Sequence, residues 1–383
     1  MTTSTLPVVL AVVAATPFAA SASAEPFRHN FAGSVQIDYL AVPSERIAAR
    51  QSFDGATVEL SLKLAVDFGD RASASVKVCV ACHGMEVGMA FFDLRLADAL
   101  NVRVGRFTPA FGSFPLRHDP ANHRTSDKPL PYDMGRMLRL REWNLGILPA
   151  PWVDNGVEIA GTVFAEHGHF DYAVYAVGGP KAGADAVDFD FIQSRSPDRY
   201  YLDNNSEPAV GARLAGTLEL GTAWTIAAGA SGMAGRYDPD RQLTFAIAGA
   251  DLTLRRGSLY LRSEYLIRRT EMSLGDEPAA RFRYGPGENG RFADFFLKDG
   301  FYSELEFPLL GPVDVIGRVD GLRRLGNVVA TSPLRSESDL LRYTAALAYR
   351  LPGGLRLKSS GEFYDFSDFE DEIAVHLGIA GSF

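Results

Sequence analysis

The two cysteines of this 383-residue chain lie close together, in the stretch Cys79-Val-Ala-Cys82-His83. Two thiols separated by two residues and followed directly by a histidine form the attachment signature of c-type haem. In that chemistry both thiols add to vinyl groups of the porphyrin, and the adjacent imidazole binds the iron. The spacing therefore predicts one covalent haem c on Cys79 and Cys82, with His83 as the proximal iron ligand.

Three other interpretations of the same residues stay open. Cys79 and Cys82 could close a small disulfide loop, which an oxidising compartment permits. They could bind zinc, although no second pair of ligands follows at a suitable spacing. The match could also be a coincidence of sequence, so the elements that position these residues have to be considered next.

The N-terminal residues predict export. Residues 1–24 carry no charge, contain an apolar run over 6–15 and end in Ala-Ser-Ala before Glu25. This pattern is typical of a secretory signal with a small-residue cleavage site. We therefore expect a mature chain of residues 25–383 in an oxidising compartment.

The mature chain is dominated by strict alternation of apolar and polar residues, the pattern of strands with one apolar and one polar face. In "TVELSLKLAVD", residues 57–67, every second residue is apolar, and the C-terminal "EIAVHLGIAGSF" alternates in the same way and ends in phenylalanine. Sixteen such segments are predicted: 31–43, 55–67, 71–80, 86–97, 100–107, 153–165, 168–177, 207–219, 222–233, 242–254, 257–269, 299–309, 312–324, 339–351, 354–365 and 371–383. Segments of about ten residues in even number predict an all-β, transmembrane antiparallel barrel; a soluble sandwich is the alternative.

The connections between these segments also fit a membrane barrel. Those on one side are short, such as "FGDR" and "LPGG", whereas the other side receives the long segments 108–152, 178–206 and 270–298. Short periplasmic turns and long extracellular loops are typical of outer-membrane barrels. We expect the protein in the outer membrane of a Gram-negative bacterium, in contact with its lipid. The net charge of −9 argues against nucleic acid as a partner, and we find no nucleophile–base arrangement that would predict an enzyme.

The polar face of a barrel of this size encloses a water-filled lumen. The basic residues that alternation predicts to line the pore are Lys63, Arg95, Arg103, Arg262, Arg318, Arg342 and Arg356. Guanidinium groups pair well with carboxylate and phosphate, so these residues predict a preference for small anions. The alternative is a hydrated face held together by cross-strand ion pairs.

Residues 108–152 predict a constriction loop. The segment follows the fifth predicted strand and is rich in proline and arginine, so we expect it to fold into the lumen instead of capping the barrel. The preceding stretch "NVRVGRFTPAFGSF", residues 101–114, resembles the signature of the phosphate-selective porin family, in which a strand likewise enters a long loop. That resemblance implies sixteen strands, a homotrimer, and anions passing through a lumen lined by arginine and lysine.

The third predicted strand, 71–80, runs into the haem motif. Cys79 shares the polar face of that strand with Lys77, so its thiol is expected to point into the lumen. His118 or His123, in "RHDPANH" of the constriction loop, is the predicted distal iron ligand. In architecture the chain also resembles the fused cytochrome–porin proteins of iron-oxidising bacteria.

The sequence therefore predicts a porin-like outer-membrane barrel carrying one covalent c-type haem. Its function would be electron transfer at or across the outer membrane, with a periplasmic or extracellular redox partner. The alternative is an ordinary anion-preferring diffusion porin with a structural disulfide and no haem.

Overall fold

The structure of the protein is a computed structural model, which describes residues 28–42, 55–81, 84–133, 146–181, 203–271, 295–326, 335–368 and 370–383. The proposed signal, residues 1–24, lies outside these ranges. Within them, no helix is long and apolar enough to cross a membrane.

Sixteen β-strands form one closed antiparallel barrel, in which each strand pairs with its neighbours in sequence and β1 pairs with β16. The predicted all-β barrel of sixteen strands is thus confirmed. The strands are β1 Arg28–Ala41, β2 Gly55–Phe68, β3 Ala72–Ala81, β4 Gly84–Ala97, β5 Leu100–Phe107, β6 Asp154–Ala165, β7 Gly168–Val177, β8 Ala209–Leu220, β9 Trp224–Arg236, β10 Thr244–Arg256, β11 Leu259–Glu271, β12 Phe295–Leu310, β13 Val313–Leu325, β14 Glu337–Arg350, β15 Arg356–Phe366 and β16 Glu372–Ser382.

The boundaries differ most from the prediction at β12. This strand begins at Phe295, four residues earlier than predicted, because its first residues pair with the end of β11, where Glu271 lies opposite Phe295. The residues at the start of β12 include Asp299 and Lys298, which interrupt the apolar pattern. The first residue of β12 is therefore determined by pairing with β11, and the alternation of residues alone does not reveal that pairing.

The barrel closes between its first and last strands. The backbone N–H of Gly33 donates to the carbonyl oxygen of Phe383 at 2.9 Å, and the N–H of Phe383 donates to Gly33 at 3.1 Å. The ring of Phe383 lies 6.0 Å from that of Phe31, between centroids. Closure leaves neither strand with an unpaired edge, as a barrel in a bilayer requires.

The two faces of the wall are reversed relative to a soluble protein. On β16, Ile373 on the outer face is 54% exposed, whereas His376 on the inner face is fully buried. The same holds on β2, where Val58 and Leu64 are exposed and Ser61 is buried. Apolar residues face outward because lipid surrounds the barrel. This outer face and the closed fold confirm the expected location in the outer membrane of a Gram-negative bacterium.

The connections segregate to two ends as predicted. Turns of at most five residues join β2 to β3, β4 to β5, β6 to β7, β8 to β9, β10 to β11, β12 to β13 and β14 to β15. Two of these turns depend on glycine in the left-handed region, Gly257 at φ 57° and Gly311 at φ 55°. The opposite, extracellular end carries the segment between Phe107 and Asp154, which determines the shape of the lumen.

Candidate pore constriction and the strand that carries Cys79

The described parts of the loop between β5 and β6 lie inside the barrel. These parts, 108–133 and 146–153, place a set of apolar side chains against the inner wall with almost no exposure. These side chains are Phe111, Phe114, Leu130, Tyr132, Ile147, Leu148 and Trp152. Burial of this apolar surface favours a loop seated in the lumen.

Glu264 on β11 is one anchor of the loop. Its carboxylate accepts hydrogen bonds from Ser113 Oγ at 2.9 Å, from the backbone N–H of Phe114 at 2.7 Å and from the hydroxyl of Tyr132 at 2.5 Å. The hydroxyl of Tyr302, on the neighbouring strand β12, donates to the same carboxylate at 2.6 Å. The carboxylate is buried, so these bonds to its charge hold the loop firmly.

Two of the predicted pore-lining arginines form a second anchor. Arg342 is fully buried and contacts Asp320 at 2.6 Å and Asp127 of the loop at 3.1 Å. Arg318, also buried, donates to Thr125 Oγ1 of the loop at 2.9 Å. Both arginines are on the inner face, as alternation predicts, but the loop covers them.

Arg356 and Arg262 also contact the loop or the acidic residues beside it. Arg356 donates to the carbonyl oxygen of Ala121 at 2.9 Å. Arg262 lies 2.8 Å from Glu306, a carboxylate that also contacts Arg124 of the loop at 2.8 Å. Their charges are thus engaged with the loop or with carboxylates.

Three predicted pore-lining residues lie on the wall formed by β2, β4 and β5. Arg103 is paired with Asp93 at 2.8 Å and Glu158 at 3.2 Å. Arg95 is exposed and lies 3.6 Å from Asp67. Lys63 is exposed on the inner face of β2, directly opposite Lys77 of β3, and has no ion pair within the described part of the chain.

Lys77 joins this wall to the middle of the loop. Its ammonium group donates to Asp119 at 2.5 Å and lies 3.1 Å from Nε2 of His118. Nδ1 of His118 donates to the carbonyl oxygen of Pro115 at 2.5 Å, so Nε2 accepts from Lys77 and the ring is neutral. Burial and the charge of Lys77 lower the pKa of His118 to about 3. Burial alone would raise the pKa of Asp119, but the charge of Lys77 and the hydrogen bond from its ammonium group lower the pKa overall.

Leu116 is the residue that the sequence did not single out. It lies in the short 3-10 turn Phe114–Arg117, between the anchors at Glu264 and Lys77. Both anchors are inside the barrel, yet the Leu116 side chain is 78% exposed. Its exposure is therefore to the lumen, and it forms an apolar projection into the water-filled passage.

The position of Cys79 is described, whereas Cys82 and His83 lie outside the described residues. Cys79 pairs with Ser61 of β2, whose side chain is on the inner face, and its Sγ would lie 3.0 Å from a Cβ added at Gly88. The thiol thus faces the lumen over a glycine that leaves room for it. A bulge between Lys77 and Val78 in the pairing with β4 accompanies this arrangement.

The two predicted distal ligands occupy different parts of the lumen. His118 contacts Lys77, and Lys77 is two residues before Cys79 on β3. Both ring nitrogens of His118 already have partners within the protein. His123 is buried beside Phe114, with ring centroids 5.9 Å apart, and its Nδ1 donates to the Thr125 carbonyl at 2.9 Å. Nε2 of His123 has no hydrogen-bond partner among the described residues. Of the two, His118 is the one that the loop brings to the strand of Cys79.

A transmembrane barrel of sixteen strands, narrowed by a loop inside its lumen, has the architecture of a porin-like channel. The chain is similar in fold to the anion-selective porin from Comamonas acidovorans, with 12% identity, a TM-score of 0.57 and coverage of 94% of this chain and 100% of that one. It is similar to OmpF of Salmonella typhi, solved in complex with daunomycin, with 8% identity and a TM-score of 0.56 over 93% of this chain and 97% of that one. The channel DcaP of Acinetobacter baumannii gives 12% identity and a TM-score of 0.56 over the same shares. No known family and no curated protein matches the chain in sequence.

Proposed function

We propose that the protein is a diffusion channel through which small hydrophilic solutes cross the outer membrane, with anions preferred over cations. The observation that carries this proposal is the exposed, unpartnered position of Lys63 on the inner wall, which the loop leaves uncovered in the described part of the barrel. The fold similarity to an anion-selective porin supports it. The channel requires no catalytic step.

The arrangement of Lys63 and Lys77 favours anions for a physical reason. Like charges directly opposite each other on neighbouring strands repel, and Lys63 faces Lys77 in this way. Lys77 is compensated by Asp119, whereas Lys63 relies on the lumen for counter-ions. A passing anion relieves the repulsion, and a passing cation adds to it.

The test is the reversal potential of single channels in a planar bilayer under a potassium chloride gradient. We expect an anion-preferring potential for the wild type and a shift toward cations for Lys63→Glu. Arg323→Gln is the control, because Arg323 is exposed on the outer face of β13 and its loss should leave the potential unchanged. A cation-preferring wild type, or equal shifts for both variants, would contradict the proposal.

A second candidate function is electron transfer through one covalent haem c on Cys79, Cys82 and His83, with a redox partner on the periplasmic or extracellular side. It is supported by the lumen-facing thiol of Cys79 and by His118 beside the same strand. In that case Cys79 and Cys82 would hold the porphyrin, His83 would bind the iron, and His118 or His123 would occupy its other face. A bound haem would supply one-electron chemistry. His118 would first have to give up its contact with Lys77.

The haem candidate is tested by expressing the chain in a host that makes c-type cytochromes. After denaturation, a retained pyridine haemochrome and a mass increase of one haem would support the redox barrel. A mass lower by two hydrogens with no retained haem would instead support a diffusion channel with a Cys79–Cys82 disulfide. Cross-linking in native detergent extracts would test the homotrimer that the porin resemblance implies.

A further inference from the structure

Three potential metal ligands from separate elements meet beneath the loop. Asp127 belongs to the loop, Glu362 to β15 and His376 to β16, and all three are buried. One ligand atom from each lies within 4.8 Å of the others. The set is distinct from the haem motif on β3 and from the exposed lysine of the lumen.

His376 is oriented as metal-binding histidines are. Its Nδ1 donates to Asp38 at 2.8 Å, which directs Nε2 toward Glu362. Nε2 lies 3.7 Å from Glu362 Oε2, too far for a hydrogen bond, and among the described residues it has no hydrogen-bond partner. A carboxylate on one ring nitrogen and a metal on the other is a recurrent arrangement, since the carboxylate fixes the tautomer and the ring orientation.

The two carboxylates each retain an oxygen for a further ligand. Arg342 contacts Oδ2 of Asp127 at 3.1 Å and Oε2 of Glu362 at 3.3 Å, and Tyr364 donates to that same Oε2 at 2.7 Å. Glu362 Oε1 is buried and lacks a hydrogen bond from the residues that the structure describes. The guanidinium group of Arg318 lies 3.8 Å from this oxygen. The arginine and tyrosine thus hold the carboxylates in place without using all their oxygens.

The local charge is negative. Three carboxylates, on Asp127, Asp320 and Glu362, contact the two guanidinium groups of Arg318 and Arg342, and a fourth, on Asp38, contacts His376. With a neutral His376, these four carboxylates outnumber the two guanidinium groups, and such an excess of buried negative charge favours a further cation.

We propose that Asp127, Glu362 and His376 bind one divalent transition-metal ion, with Zn²⁺ as the best match to one imidazole and two carboxylates. Zinc accepts this mixture of nitrogen and oxygen donors, and its two charges neutralise the site. The ion would join the loop to β15 and β16 and so hold the constriction in a fixed position. This inference is independent of the solute that passes the pore.

The experiment uses the tag-free mature chain with Cys79→Ser and Cys82→Ser, so that zinc on the thiols cannot be mistaken for the proposed site. The chain is unfolded in denaturant that contains a chelator, so that any bound metal is removed. It is then refolded in detergent with either Zn²⁺ or EDTA. Bound zinc is measured by elemental mass spectrometry after gel filtration, and folding is followed by heat-dependent mobility on gels. We expect about one zinc per barrel and a higher melting temperature with Zn²⁺.

His376→Gln and Glu362→Gln should each lower zinc affinity by at least about tenfold, given the effect of losing even an outer-shell partner. His123→Gln is the matched control, because His123 is equally buried and lies on the loop, but outside this cluster; it should retain the zinc. Less than one zinc per ten refolded barrels would overturn the proposal, as would full zinc binding by both cluster variants. If both variants fail to fold, the zinc content and melting shift of the parent chain decide.

Discussion

The ammonium group of Lys77 on β3 lies 3.1 Å from Nε2 of His118 in the middle of the loop. This contact links the wall that carries Cys79 to a loop whose other contacts are largely with β11 to β15 and β1. The loop therefore touches opposite sides of the lumen. Any solute must pass beside it, and any group attached at Cys79 would lie close to it.

Replacement of Lys77 by methionine should destabilise the barrel. The change leaves Asp119 and His118 without the ammonium group that they share, and an unsatisfied buried polar group costs about 1–3 kcal/mol. The free energy of unfolding, measured by urea titration in liposomes, should fall by that amount. Lys63→Met is the control. Because Lys63 is exposed, its replacement should change the free energy of unfolding by no more than about 0.5 kcal/mol. Equal effects of the two substitutions would show that the Lys77 contacts do not hold the loop.

The low pKa of His118 predicts a loss of stability in acid. Because the folded-state pKa is about 3 and the ordinary value is 6.5, the unfolded chain binds a proton between these values and the folded chain does not. Stability from this group is therefore fully present above about pH 6.5 and is lost as the pH falls toward 3, at no more than about 1.4 kcal/mol per pH unit. Urea titrations from pH 7 to pH 4 on the chain with Cys79→Ser and Cys82→Ser measure this slope.

The variant His118→Gln should have a shallower slope over the same pH range. His167→Gln, in the exposed turn between β6 and β7, should keep the parental slope. If His118→Gln loses stability in acid as steeply as its parent, then the proton uptake belongs to other groups.

Alternation predicted the sixteen strands and their inner faces because each strand has one lipid face and one polar face. It placed Arg318 and Arg342 on the inner face, but it could not show that the loop covers them. Arg342 contacts Asp127 across 215 residues of sequence, and Arg318 contacts Thr125 across 193. Such contacts depend on where the loop descends into the lumen, and no local pattern encodes that position.

The residue types that anchor the loop are visible in the sequence, although their pairing is not. Tyr132 and Ser113 offer hydroxyl groups within the loop, and Glu264 is an inward-facing carboxylate in a wall of mixed charges. Their pairing follows only from the path of the chain. The sequence does not predict that Leu116 projects into the lumen, since a leucine in a loop belongs to no pattern that indicates its exposure.

Glu264→Gln should loosen the loop. The neutral amide accepts weaker hydrogen bonds than the carboxylate, and bonds to a charged group contribute about 1.5–3 kcal/mol. We expect a lower free energy of unfolding and larger current fluctuations in single-channel recordings. Glu337→Gln, an exposed position at the start of β14, is the control that should behave as the wild type. Quiet, wild-type currents from Glu264→Gln would mean that the apolar packing alone fixes the loop.

Leu116 should set the width of the passage. Its side chain projects into the lumen between two anchored points of the loop, so its size subtracts directly from the open cross-section. Single-channel conductance should rise for Leu116→Ala and fall for Leu116→Trp, whereas stability should change little because the side chain packs against almost nothing. Leu377→Trp on the lipid-facing side of β16, where the leucine is also exposed, adds the same bulk outside the lumen and should leave the conductance unchanged. If conductance were unchanged in both Leu116 variants, the narrowest point would lie elsewhere along the loop, and the charge of Lys63 would act on ions before or after they reach it.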